Sequence, residues 1–148
     1  MKIKAKSKLE ECILSHLTPE GDLLDLEDKN VTPEHVRLLC QAGESLERVK
    51  QLYLSNNRLG DAEIEVLSKS RCFPNLKKLF LNHNKISNGG AKALAESKFV
   101  QNITYLMLEA NHIGADGIHS FASSLNLKNL ETLFLDSNPI GPEGAKAL

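Results

Sequence analysis

Residues 76–86 read LKKLFLNHNKI, and the same frame recurs as VKQLYLSNNRL at 49–59, ITYLMLEANHI at 103–113 and LETLFLDSNPI at 130–140. The asparagines Asn57, Asn84, Asn111 and Asn138 stand 84−57 = 27, 111−84 = 27 and 138−111 = 27 residues apart. Four frames in phase, with unrelated residues between the fixed positions, mark one structural unit repeated along the chain.

Within one unit, Leu76, Leu79 and Leu81 point inward, which makes the stretch a short parallel strand with alternating faces. Asn84 has no reason to be apolar. Its amide is suited to backbone groups of neighbouring turns that stacking would otherwise bury unpaired, so the repeated asparagine reads as a structural ladder and not as a catalytic group.

After each strand the chain turns into a helix. The columns Ile64, Ala91, Ile118, Ala145 and Leu67, Leu94, Phe121, Leu148 lie three residues apart and fall on one inner helix face. A third column, Leu46, Phe73, Val100 and Leu127, closes the return to the next strand. Glycines keep the same phase at Gly60, Gly114 and Gly141, with Ser87 the exception, and at Gly90, Gly117 and Gly144, with Glu63 the exception. Small residues there are expected to allow a tight turn and close helix approach.

The ends depart from the frame. Residues 24–31, LDLEDKNV, align one unit upstream with a spacing of 28 (Leu24 to Leu52, 52−24 = 28), but Lys29 takes the asparagine position. A degenerate first unit is expected of a cap. Thr32 and Pro33 read as helix cap and first helical residue, with a helix through about Gln41 that Gly43 can end. Upstream, Leu9, Cys12, Ile13, His16 and Leu17 form an apolar stripe at helical spacing. The chain divides accordingly into a capping region, 1–22, and repeats, 23–148, the last of them incomplete. Leu148 falls in phase with Leu94 (148−94 = 54), inside a fourth helix, with no polar cap after it. Continuation past Leu148 is expected, the alternative being self-association through the uncapped C-terminal edge near Glu131 to Leu135.

A chain of 148 residues with 41% hydrophobic and 25% charged residues suits one soluble domain. No run approaches the length of a membrane span, and the basic start breaks into Glu10 and Glu11 before any apolar region, so a secretory signal is not expected and the cytoplasm is. Cys12, Cys40 and Cys72 contain no paired ligand spacing; Cys12 and Cys40 read as small buried hydrophobes. A net charge of −1 gives no basic footprint for nucleic acid, and the alternation Lys2, Lys4, Lys6, Lys8 reads as a solvated tail.

The strand and helix unit L-x-x-L-x-L-x-x-N-x-[LI]-G-x-x-G resembles the ribonuclease-inhibitor class of leucine-rich repeats over residues 24–148. The resemblance implies an α/β solenoid, a right-handed horseshoe arc with parallel strands on the concave face and helices on the convex face. It also implies binding of a protein partner, whose identity does not transfer with the fold. The class includes ribonuclease inhibitors, ligand-sensing domains of innate immune receptors, activators of a Ran-type GTPase, and effectors that intracellular bacteria deliver into host cells; for an effector the location is the host cytoplasm.

Strand positions between the core leucines face the concave surface in three columns. The first is Gln51, Lys78, Tyr105 and Thr132. The middle one is Tyr53, Phe80, Met107 and Phe134, with Asp25 in the cap. The third is Ser55, Asn82, Glu109 and Asp136, with Glu27 in the cap. At about 4.8 Å per strand the middle column makes a ridge roughly 15 Å long. An aromatic ridge beside a polar, partly acidic rim fits a protein-binding hot spot, with Tyr53, Phe80, Met107, Phe134, Lys78, Tyr105, Asn82, Glu109 and Asp136 as the partner-binding residues. The same rings also stack to stabilise the sheet itself.

No nucleophile elbow, phosphate-binding loop, zinc-protease motif or C-x-x-C occurs, so no enzyme, cofactor or metal is expected. His83 falls near Glu109 and Asp136 in the column order, but the pair lacks a nucleophile and a pocket. His35 and His119 are helix positions without a ligand-spaced companion. The alternative reading is a regulator of a GTPase presenting Arg58 or Lys85 on the strand-to-helix loops, or the recognition arm of a longer effector or receptor.

Overall fold

The structure is a computed structural model that describes residues 7–148. Lys2, Lys4 and Lys6 of the basic run lie outside the described residues. The chain opens with α1 (Lys8–Leu14), β1 (Leu23–Asp25) and α2 (Pro33–Gln41). Four strand and helix pairs follow: β2 (Gln51–Tyr53) and α3 (Asp61–Ser68), β3 (Lys78–Phe80) and α4 (Asn88–Glu96), β4 (Tyr105–Met107) and α5 (Ala115–Ala122), β5 (Thr132–Phe134) and α6 (Gly141–Ala147). No helix among the described residues is long and apolar enough to cross a membrane.

The five strands form one parallel sheet in sequence order. Its register pairs Gln51 with Lys78, Tyr105 and Thr132, and Tyr53 with Phe80, Met107 and Phe134, along the 27-residue phase. The 28-residue offset of the first unit is equally real, since Leu24 pairs with Leu52. Neighbouring strands sit about 4.8 Å apart while packed helices need about 8–10 Å, so a stack of such units bends with its strands on the inner, concave side.

Leu52, Leu54, Leu79, Leu81, Leu106 and Leu108 are wholly buried, together with Ile64, Ala91, Ile118 and Leu94 from the helices. Each such Leu or Ile contributes about 1.5–3 kcal/mol, and the contribution exists only because the adjacent unit covers it. The unit at residues 130–148 is less covered. Leu130, Leu133 and Ile140 are only partly buried, Ala145 is exposed and Leu148 is 68% exposed, although all were read from the frame as inward-facing.

Three ladders tie the units together. The first is the asparagine frame. Asn84 Nδ2 donates to Leu54 O and Leu81 O, both at 3.0 Å, while its Oδ1 accepts the N–H groups of Asn57 (3.2 Å) and Leu59 (2.9 Å). Asn57, Asn111 and Asn138 repeat the arrangement, each reaching one unit upstream. The second runs along the helix starts. Asp61, first in α3, accepts from Ser87 N (2.7 Å) and Ser87 Oγ (2.5 Å) before α4, and Asn88, first in α4, accepts from Gly114 N (2.7 Å) and Gly117 N (3.1 Å) at α5. α3 thus caps α4, and α4 caps α5. The third is a column the sequence reading overlooked, Asn75, Asn102 and Asn129, again 102−75 = 27 and 129−102 = 27. They donate to Glu47 O (2.7 Å), Pro74 O (3.3 Å) and Gln101 O (2.8 Å) on the return turns.

The two glycine columns differ. A Cβ on Gly117 meets Ile113 Cγ2 at 2.7 Å and Asn88 Oδ1 at 2.9 Å, so the close helix approach requires glycine there. At Gly60 the nearest atom is Glu63 Oε2, at 3.4 Å, and φ is −106°, so nothing in the turn demands glycine there; in that column Gly141, with φ 65°, is the position that does. Glu63, the exception in the second column, folds back to accept the Gly60 N–H at 2.8 Å.

At the N-terminal edge, α2 begins with the Thr32 cap and Pro33 and ends at Gln41, as the sequence indicates. The apolar stripe upstream is not a single helix. α1 stops at Leu14, and residues 16–18 then run antiparallel to β1, with Thr18 N donating to Leu23 O (2.9 Å) and Asp25 N to His16 O (3.1 Å). This segment covers the outer edge of the sheet. Cys12, read as buried, is exposed, because α1 turns Glu10 and Ile13 inward; Cys40 is half-buried and Cys72 is the buried thiol.

Candidate functional site

On a parallel strand, residues two apart share a face, so the core leucines commit the positions between them to the concave surface. Tyr53, Phe80, Met107 and Phe134 occupy the middle of that surface and are half-buried. Their rings do not form a simple column. Tyr53 and Phe80 stack with centroids 4.1 Å apart and planes 11° from parallel. The series then steps sideways: Phe80 meets Tyr105 at 5.5 Å, and Tyr105 meets Phe134 at 5.6 Å. Met107 is flexible and offers no ring, so Tyr105 from the neighbouring column bridges the gap. Lys78 places Nζ 5.6 Å above the Tyr105 ring, a cation–π geometry worth about 0.5–1 kcal/mol at an exposed site.

The third column behaves as a polar rim with one exception. Ser55 is buried, 4% exposed, and its hydroxyl accepts the Asn82 N–H at 3.2 Å, so it belongs to the sheet and not to the surface. Asn82 Nδ2 lies 3.3 Å from Glu109 Oε2 and 3.8 Å from Met107 Sδ. That orientation leaves Asn82 Oδ1 buried without a donor; flipping the amide would set it against the Glu109 carboxylate instead. In the first unit Glu27 accepts from Asn56 Nδ2 at 3.1 Å, and Asp25 accepts from the Glu27 N–H at 3.0 Å. Burial, then the Asp25 and Glu27 carboxylates and Tyr105, hold the Tyr53 phenol above its ordinary pKa.

The residues before each ladder asparagine add a constraint that the frame does not reveal. Asn56, His83, Ala110 and Ser137 all lie in the left-handed region, with φ of 58°, 52°, 52° and 58°, and Asp28 does so in the first unit. Each reverses the chain at the rim. His83 uses its backbone N–H to bond Glu109 O (2.9 Å), which is how it comes near that residue. His35, read as lacking a companion, has one in Thr32: Oγ1 and Nδ1 are 2.6 Å apart, and Thr32 N also donates to Nδ1 at 3.1 Å. The pair closes the start of α2 and is a cap. No group of three or more His, Cys, Asp or Glu among the described residues could hold a metal ion.

The helix side is different in kind. A hollow of about 450 Å³ between α3 and α4 is lined by Glu65, Lys69, Lys92 and Glu96, and these charges compensate one another, Lys69 with Glu65 at 2.6 Å and Lys92 with Glu96 at 3.9 Å. A second, about 530 Å³, lies over Phe73 and Phe99, a T-shaped ring pair at 6.2 Å, beside Arg71 and Lys98.

A leucine rich repeat family model matches residues 74–95 and 126–148. No curated protein matches the sequence. Among solved structures, the chain is similar to the tropomodulin C-terminal domain from Caenorhabditis elegans, at 16% identity and a TM-score of 0.69, covering 95% of this chain and 89% of that one. It is also similar to the actin-binding site 2 of leiomodin-1, at 20% identity and a TM-score of 0.72, covering 96% of this chain and 85% of that one. With a parallel sheet in sequence order, a helix returning behind each strand and an asparagine ladder in the repeated frame, this chain has the α/β leucine-rich repeat fold.

Proposed function

We propose that the chain is a non-enzymatic protein-binding module that holds its partner on the concave face. Residues 1–22 act as the cap and 23–148 as the repeats. Tyr53, Phe80, Met107 and Phe134 form the apolar centre with Tyr105, and Lys78, Asn82, Glu109 and Asp136 surround it. The observation that carries this reading is the ring series running across four strands while remaining half-exposed. Sheet stabilisation accounts for the stacking, but burying the remaining area of several adjacent rings needs a second surface. The actin-binding site of leiomodin-1, built on a similar fold, is in keeping with a protein partner.

The test is capture of partner from a lysate by wild type, by Phe80→Ser with Phe134→Ser, and by Leu125→Ser, a control at a residue 82% exposed and outside the sheet. Loss of the stacked rings is expected to cost about 1–3 kcal/mol of stability, leaving the fold intact by circular dichroism. Capture should survive in the control and vanish in the double variant. Equal capture by all three removes the concave ridge from consideration.

A further inference from the structure

The charges of this protein are segregated by face. Among the described residues the ion pairs Arg37–Glu34, Lys69–Glu65, Lys92–Glu96 and Lys146–Glu143 are all pairs three or four residues apart on helices. The three concave columns, on the strands and just after them, hold four carboxylates, Asp25, Glu27, Glu109 and Asp136, against the single cation Lys78. None of the four has a cationic partner in those pairs; Glu27 and Glu109 accept from asparagine amides instead. A chain with a net charge of −1 thus presents a locally anionic binding face.

Geometry adds a second constraint. Interior strands have spent their backbone groups on one another, and residues 16–18 cover the outer edge of β1. An extended segment lying on the ring series would leave its own N–H and C=O groups unpaired against apolar surface, whereas a helix satisfies them internally. The spacing suits a helix as well. Its turns advance about 5.4 Å and the strands about 4.8 Å, so apolar residues at i, i+3 or i+4, and i+7 each meet one strand. From the carboxylates on β1 to Glu109 beside β4 is three strand intervals, roughly 14 Å, or about ten helical residues.

Resting on the binding role proposed above, we infer that the occupant of the concave face is a cationic amphipathic helix of a partner protein. It lies across the strands, its apolar stripe on Tyr53, Phe80, Tyr105 and Phe134. Its Lys and Arg residues reach Asp25 and Glu27 at one end and Glu109 and Asp136 at the other.

The experiment is selection of displayed random peptides, about 16 residues long so as to span the face, on the immobilised folded chain. Enrichment of Lys- and Arg-rich sequences with apolar residues at i, i+3 or i+4, and i+7 is expected. A synthetic member should bind at least about tenfold more weakly to a variant carrying Asp25→Asn, Glu27→Gln, Glu109→Gln and Asp136→Asn, with a flatter salt dependence. A proline at its centre should abolish binding. Enrichment of anionic, uncharged or proline-rich peptides, no enrichment, or indifference to the four amide substitutions overturns the inference. The Phe80→Ser, Phe134→Ser variant separates the two claims. If the enriched peptides, whatever their charge, fail to bind it, the ridge remains the binding site, and where those peptides are not cationic helices only the partner's chemistry is wrong; if they bind it equally, the ridge itself is refuted.

Discussion

Replacing Asn84 with alanine removes one rung from the middle of the asparagine ladder, and the hydrogen bonds show which losses matter. The carbonyls that Asn84 serves have a second donor: Leu54 O also accepts from Asn57 Nδ2 (3.0 Å), and Leu81 O from Asn111 Nδ2 (2.9 Å). The N–H groups of Asn57 and Leu59 have only Asn84 Oδ1, at 3.2 and 2.9 Å, and both residues are buried. Two orphaned buried donors at about 1–3 kcal/mol each give an expected loss of about 2–6 kcal/mol. That is a large share of the roughly 5–15 kcal/mol that holds a domain together. Asn138→Ala is the internal comparison. It orphans one N–H, that of Ile113, bonded at 3.0 Å, and takes the donor from Leu135 O (2.9 Å), but its side chain is half-exposed, so water replaces part of the loss and about 1 kcal/mol is expected. Urea unfolding followed by circular dichroism measures both, and a reduced m-value for Asn84→Ala would show the array dividing at the missing rung. A loss below about 1 kcal/mol for Asn84→Ala, or one no larger than for Asn138→Ala, would refute the view that the asparagine acts through the two N–H groups.

Three further outcomes follow from the packing, the backbone and the charges. Leu81→Ala should cost about 2–5 kcal/mol, while Leu133→Ala, at the equivalent core face of the last strand but only partly buried, should cost less than about 2; equal shifts in the urea midpoint would contradict the burial argument. Ala110→Gly should raise the melting temperature, because relief of the left-handed strain at φ 52°, about 1–2 kcal/mol, exceeds the roughly 0.4–1 kcal/mol of added chain entropy; a fall would show that the turn is unstrained. In a Tyr105→Phe variant the absorbance of Tyr53, then the sole tyrosine, should titrate above the ordinary phenol value of about 10. The folded state keeps the proton that the unfolded state releases, so stability is full below about pH 10 and falls as pH rises through the folded pKa. Asp25→Asn with Glu27→Gln should lower the midpoint only in part, since burial is the larger cause; a midpoint at the free phenol value would place Tyr53 in open water.

The repeated frame in the amino-acid sequence determined the strands, their parallel register, the helix behind each one and the asparagine ladder. It could do so because each unit contacts chiefly its neighbours, which makes the fold nearly one-dimensional and turns a spacing along the chain into a spacing in space. A column of side chains was therefore legible, and Tyr53, Phe80, Met107 and Phe134 do share one face. The column Asn75, Asn102, Asn129 was equally legible by its period, but its residues carry no apolar signal to draw attention to them. What sequence could not decide were matters of direction and of ends. Whether Tyr105 or Met107 continues the ring series depends on side-chain angles set by both neighbouring strands, and Ser55 sinks beneath Asn82 because a backbone N–H one unit away needs its hydroxyl. Cys12 faces out because α1 turns Glu10 and Ile13 inward, and the stripe is broken after Leu14, where the chain pairs with β1. Leu133 and Ala145 are in phase with buried residues, yet the first is only partly buried and the second exposed, since burial belongs to the pair of units and not to the residue. The place of the acidic rim on the concave face was legible from the columns, but its lack of ion-pair partners was not. Only the tertiary structure decides that, because the pairs form between residues three or four apart on the helices, which face away from the strands, and a net charge of −1 conceals the difference.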